Sequence, residues 1–231
     1  MNAADGYRVD MREVKIPWWP LFALVAAAHV ALLAARVSPW DSVTKCLAAP
    51  LLIGWLLQVG APRILALAML FCLGGDFFLE RDGMFLAGMA CFALAHVCFI
   101  AFFASRGALG RLRAQPELIG VLAAAAVGLV VLVWKGIDDP VVQAVLPLYA
   151  ALLCGTTATA LVTERLAGLG AVAFLVSDSI IALTVFERVT ATRLTDVAIM
   201  ALYLAAIALL ALGGANTAAH RTPAATPSAT D

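Results

Sequence analysis

Apolar positions along this chain run in long blocks broken by short polar stretches. The blocks fall at 18–36, 43–59, 64–80, 84–104, 117–134, 140–162, 167–187 and 195–213. Each is close to the ~20 residues that a helix needs to cross about 30 Å of hydrocarbon. Backbone inside lipid must satisfy its hydrogen bonds within its own segment, so the pattern predicts helices. The expected fold is all-α, a polytopic integral membrane protein with eight transmembrane helices. Breaks between blocks carry turn residues: Ser38-Pro39, Gly60-Ala61-Pro62, Asp82-Gly83, Asp139-Pro140 and Gly168. The longest internal loop, 105–116, holds Arg106, Arg111 and Arg113. Three regions result: a polar N-terminal segment 1–16, a membrane domain 17–213, and a tail 214–231 rich in Ala, Thr and Pro that reads as disordered. No small-residue cleavage site follows an early apolar run, so no cleaved signal peptide is expected.

Composition narrows the class further. Of 231 residues, 64% are apolar and 13% charged, with a mean hydropathy of +0.99; soluble domains hold about 45–50% and about 25%. These values exclude a soluble globular enzyme, a disordered chain and a disulfide scaffold. Fifteen basic residues balance fifteen acidic ones, so nothing points to nucleic acid as a partner. The five cysteines, Cys46, Cys72, Cys91, Cys98 and Cys154, all lie in apolar stretches and read as packing residues. Cys91, His96 and Cys98 are close in sequence but do not share a helical face, so neither a metal site nor a cofactor is expected.

Charge distribution orients the chain. Nine basic residues (Arg8, Arg12, Lys15, Arg63, Arg106, Arg111, Arg113, Arg165, Arg221) fall on the side of the termini, and five (Arg36, Arg81, Lys135, Arg188, Arg193) on the other. The positive-inside rule then places both termini in the cytoplasm, as in a bacterial inner-membrane protein. The third and seventh blocks run in the same direction, and each contains one acid: Asp76 after Leu70–Gly75, and Asp178 after Ala173–Ser177. A four-plus-four internal duplication would produce this arrangement.

Those two acids are the first candidates for chemistry. An ionisable side chain inside a membrane segment is rare and costly, so it marks function by default; the competing reading is that each acid ties helices together. Gly74 and Gly75 beside Asp76 permit close backbone approach. Ser177 and Ser179 flank Asp178, although a membrane serine commonly bonds the carbonyl four residues back. His96 stands on one face with Phe92, Phe99 and Phe103, either as part of an aromatic packing stripe or lining a polar cavity. Lys45, early in the second block, either snorkels outward or meets an anionic head group or a carboxylate. Tyr149, just after Pro147, is placed to offer its hydroxyl at similar depth. Catalytic roles are expected for Asp76 and Asp178, and substrate contacts for Lys45, His96, Tyr149 and Ser177.

Several of these motifs are similar to those of the YhhN-like lysoplasmalogenase family. Leu73-Gly74-Gly75-Asp76-Phe77-Phe78-Leu79 resembles its Gly-Asp motif. Cys91–Phe99 resembles its next helix, Gly170–Asp178 its Ser-Asp motif, and Thr44-Lys45 its Thr-Lys-Pro entry. The order, spacing and eight-helix plan agree over about residues 20–212. Phe99 stands where the family often has Tyr, and Cys46 where Pro commonly follows the Lys. Tyr203-Leu204-Ala205-Ala206 lacks the polar residue usual after that tyrosine.

The resemblance implies a membrane hydrolase that splits the vinyl ether bond of lysoplasmalogens, with a lysophospholipid as substrate and the lipid bilayer as its setting. Two carboxyls suit that chemistry. One delivers a proton to carbon, and its ionised partner activates water for attack on the resulting cation, a logic shared with glycoside hydrolysis. Residues in such a pair titrate as a unit. A small-solute or proton-coupled transporter is the rival reading, since midplane acids and internal repeats occur there too; a non-catalytic scaffold is the third. Oligomeric state is not written in the pattern.

The orientation has a direct test. In a cysteine-free background, Asp138→Cys is expected to react with a membrane-impermeant thiol reagent from the outside only. Ready labelling from the cytoplasm would overturn the assigned topology.

Overall fold

The computed structural model describes residues 16–38 and 40–219; the N-terminal segment 1–15, Pro39 and the tail from 220 onward lie outside them. Among the described residues the chain is helical throughout, without strands. Its elements are α1 (Trp18–Ala35), α2 (Trp40–Gln58), α3 (Arg63–Leu79), α4 (Phe85–Ser105), α5 (Ala108–Arg113), α6 (Pro116–Val133), α7 (Pro140–Leu161), α8 (Arg165–Val185) and α9 (Arg193–Ala219). The long helices lie over the apolar blocks, and six of them, α1, α4, α6, α7, α8 and α9, are long and apolar enough to cross a membrane. By contrast, α2 carries Asp41 and Lys45 in its first turns and α3 has 17 residues.

Two boundaries differ from the sequence reading. The loop 105–116 contains the short helix α5. Residues 214–219, assigned above to a disordered tail, continue α9 as helix. Gly213 and Gly214 do not break that helix; they let it approach its neighbours. A Cβ at Gly213 would meet Ala167 N at 2.4 Å, and one at Gly214 the Leu65 side chain at 2.8 Å.

Local chemistry explains the helix ends. Pro140 occupies the first turn of α7, where no N–H is needed, and the Asp139 carboxylate accepts from Val141 N at 2.7 Å and Val142 N at 3.3 Å. The Glu164 side chain accepts from Ala167 N at 2.8 Å at the start of α8. Within the helices, Thr157, Thr159, Ser179 and Thr184 donate to the carbonyl four residues back, as does Thr163 just past the end of α7, at 2.7–3.0 Å. These bonds remove the cost of a free hydroxyl in an apolar surround.

The helices close into a ring in the order α1, α2, α3, α4, α7, α8, α9 and back to α1, with α9 also reaching α2 and α3. Helix α6 stands outside the ring against α7, with a sparser contact to α8. Inside the ring, Phe99, Phe102, Phe103 and Phe174 are fully buried with Leu52, Leu56, Leu65 and Met69. Small residues set the spacing, as is usual where lipid removes the hydrophobic drive between helices. At Gly170 a Cβ would come within 2.8 Å of the Ala206 carbonyl oxygen and 2.9 Å of Leu210 N, so α8 and α9 touch backbone to backbone.

Gly170→Ala should therefore destabilise the purified protein by about 1–3 kcal/mol, the usual cost of overpacking, read as a lowered melting temperature in detergent. Gly120→Ala on α6, where an added Cβ meets nothing within 4 Å, should be neutral or stabilising because alanine favours helix. Equal effects at the two sites would contradict the described α8–α9 packing.

Candidate active site

Asp76 lies three residues from the end of α3 and Asp178 seven from the end of α8. Each carboxyl receives one tyrosine hydroxyl. Tyr203 of α9 donates to Asp76 Oδ2 at 2.6 Å, and Tyr149 of α7 donates to Asp178 Oδ2. In both pairs Oδ2 is occupied as an acceptor, which leaves Oδ1 to hold or take a proton. The two carboxyls lie within electrostatic reach of each other, with the buried Cys72 thiol in reach of both.

Aromatic rings join the pairs. Phe174 makes edge contacts with Phe92 at 5.9 Å, Tyr203 at 5.5 Å and His96 at 4.8 Å between centroids. His96 in turn meets Tyr149 at 5.9 Å. Gly75 lets α3 approach this layer, since a Cβ there would sit 2.5 Å from the Phe92 ring. A continuous aromatic layer thus runs from Tyr203 to Tyr149, with a carboxyl at each end.

The two ends are not equivalent. Asp76 is enclosed, 1% exposed. Asp178 and Tyr149 are half-buried and line a pocket among α3, α4, α6, α7 and α8 with a cavity volume of about 70 Å³. Its other walls are apolar, among them Phe85, Met89, Phe92, Leu129, Val133 and Leu146. An apolar pocket with a few convergent polar groups is a common form of small-molecule site. The tyrosine partners come from α9 and α7, which are not equivalent helices under a four-plus-four repeat, and the repeat is not confirmed.

The remaining candidates fall into different settings. Lys45 is an ion-pair residue: its Nζ lies 2.8 Å from Glu80 Oε1, while Ser42 donates to Glu80 Oε2 at 2.7 Å. Its charge also reaches Asp76. His96 is fully buried behind Tyr149, with Nδ1 3.1 Å from Thr156 Oγ1 and no partner for Nε2 among the described residues. It belongs to the aromatic stripe with Phe92, Phe99 and Phe103, all buried, and it supports Tyr149 without lining the pocket. Ser177 is buried and donates to the Ile199 carbonyl of α9 at 3.0 Å. It ties α8 to α9, and its hydroxyl is not offered to the pocket. His29, near the end of α1, is also buried; its Nδ1–H donates to the Asp41 carbonyl at 2.9 Å.

The sequence marks Tyr203 only as part of the family motif, not as a site residue, and does not single out Glu80. The tyrosine had a visible signal, since a phenol in a membrane helix needs a partner. Glu80 follows the last residue of α3, where an acid passes for an ordinary loop residue.

A family model described as the YhhN family matches residues 40–214, well over half of the chain. No curated protein and no solved structure matches it. The matched span opens at the first residue of α2 and takes in both aspartates, both tyrosines, Lys45 and His96. With every residue of the two tyrosine–carboxyl pairs inside that span, the chain belongs to the YhhN family.

Proposed function

We propose that the protein is a membrane hydrolase that cleaves the vinyl ether bond of lysoplasmalogen-type lysophospholipids, releasing a fatty aldehyde and a glycerophospho-head-group. Family membership supports the activity. The observation that carries the reading is Asp178: a carboxyl fixed by Tyr149 at the edge of an apolar pocket inside the helix bundle. In this reading all eight long helices span the bilayer and both termini are cytoplasmic.

The chemistry follows from the arrangement. A proton moves from a carboxyl to the outer carbon of the C=C bond, whose electron pair forms the new C–H bond. The ether-bearing carbon becomes an oxocarbenium centre. Water adds there and gives its proton to the pair. The hemiacetal then collapses, with the C–O bond electrons leaving on the glycerol oxygen, which is protonated as the aldehyde forms. Asp178 faces the substrate. Asp76 shares the proton inventory from behind, with the Lys45 charge in electrostatic reach. Apolar walls exclude bulk water, which protects the cation until the one positioned water adds.

Continuous helices weigh against the transporter alternative. Broken helices at Gly74-Gly75 or Pro147 would favour it, yet α3 and α7 run unbroken through those positions.

Asp76→Asn and Asp178→Asn should each lower aldehyde release by about 10²-fold or more, the usual weight of a general acid–base group. The double variant should be scarcely worse than either single one, because groups acting as a unit are non-additive. Asparagine keeps an oxygen to accept each tyrosine hydroxyl, so melting temperature should change little. The measurement is turnover per monodisperse, detergent-stable protein. Retention of more than about a tenth of wild-type turnover in either single variant would defeat the pair.

A further inference from the structure

A second apolar space adjoins the pocket at Asp178. Val130 of α6 and Ala150 of α7 line the pocket, and the same two residues line the second space, of about 430 Å³, between α6 and α7. That cleft lies where α6 stands outside the ring of helices and packs mainly on α7. Its α7 wall is made of small residues, Ala151, Gly155 and Ala158. The Cys154 thiol, the polar group on that wall, is directed to the Leu122 carbonyl at 3.5 Å, so the cleft offers hydrocarbon contacts.

We infer that the α6–α7 cleft is the bed for the substrate's single alkyl chain, which runs from Asp178 past Val130 and Ala150 toward the cytoplasmic end of α6. This rests on the hydrolase reading and adds the part of the substrate that the carboxyls do not touch. Length supports it. From Val130 to Ile119, the far end of the cleft on α6, is eleven residues, about 16 Å at 1.5 Å per residue. That is half of a hydrocarbon core of about 30 Å, the depth that one lipid chain occupies in one leaflet. Adjacency distinguishes this occupant from bulk lipid, because the cleft abuts, at Val130 and Ala150, the pocket that holds the Asp178 carboxyl. Chain-length preference is then set by the side chains along α6, and Ala126, four residues below Val130, is the position where a bulky group would stop the chain.

The test uses purified full-length protein and lysophosphatidylethanolamines with chains of eight to eighteen carbons, in two forms. A 1-O-alkyl ether set, which has no vinyl bond to cleave, reports binding as thermal stabilisation; the matching vinyl ether set reports turnover. In the wild type both readouts should grow with chain length. Ala126→Phe should keep the short-chain response within about two-fold while cutting the gain from longer chains by about ten-fold or more, since each methylene kept out of the cleft loses its apolar burial. Ala123→Phe, about one turn further down, should impose the same cut at a longer chain. A chain-length profile parallel to wild type in both variants would overturn the inference. A shifted binding profile without any vinyl ether turnover would uphold the chain bed and defeat the hydrolase reading; turnover with an unshifted profile would do the reverse. Should Ala126→Phe fail to fold, a diazirine at the chain terminus of the ether analogue decides on the wild type. Labelling of α6 and α7 residues in the cleft upholds the assignment, and labelling confined to other helices overturns it.

Discussion

Polar groups inside hydrocarbon gain most by finding a partner within the protein, and this constraint organises the structure; among the described residues only the Nε2 atoms of His29 and His96 are buried without one. Water is not there to take an unmet hydrogen bond, and leaving a buried polar group unsatisfied costs several kcal/mol at about the upper end. The consequences reach every helix. Hydroxyls of Thr157, Thr159 and Ser179 fold back on their own backbone. Ser177 crosses to Ile199, and His29 to Asp41. Lys45 takes Glu80. The two acids inside the bundle each take a phenol, and these bonds fix how α3 meets α9 and how α7 meets α8.

From that constraint the site acquires its asymmetry. Asp76 is satisfied by Tyr203 and enclosed by the ring of helices, whereas Asp178 is satisfied by Tyr149 and left at the edge of open space. The aromatic layer between them is rigid by geometry, since each ring is held edge-on by at least one other. Such support holds the two tyrosine–carboxyl pairs in place without loop motion. Helix α6 contributes the opposite quality. It closes the pocket with Leu129, Val130 and Val133, yet it is held mainly by α7, so access and enclosure depend on the same element.

Much of this was legible in the sequence, and the limits have physical causes. Helices were readable because hydrocarbon thickness sets a block length that twenty apolar residues satisfy. Asp76 and Asp178 stood out because charge is costly there. Tyr203 signals only the need for a partner; that the partner is Asp76, 127 residues away, is encoded in no local pattern. Ser177 was read toward the pocket because sequence gives a position along a helix but not its rotation toward α9. A domain boundary at 213 falls short of the helix end, because Gly213 and Gly214 serve close packing against Ala167 and Leu65 within α9; glycine has the same letter in a turn and in a close contact. The outlying position of α6 was hidden because its block is as apolar as those of the ring.

The central claim is that the carboxyls deliver a proton to carbon. Hydrolysis of a vinyl ether lysolipid by the purified protein in D₂O tests it most directly, with the aldehyde trapped by borohydride as it forms and analysed by mass spectrometry. The account predicts one deuterium on the carbon next to the former aldehyde carbon in every product molecule. Product without that deuterium, or cleavage that leaves the vinyl ether intact, would contradict it.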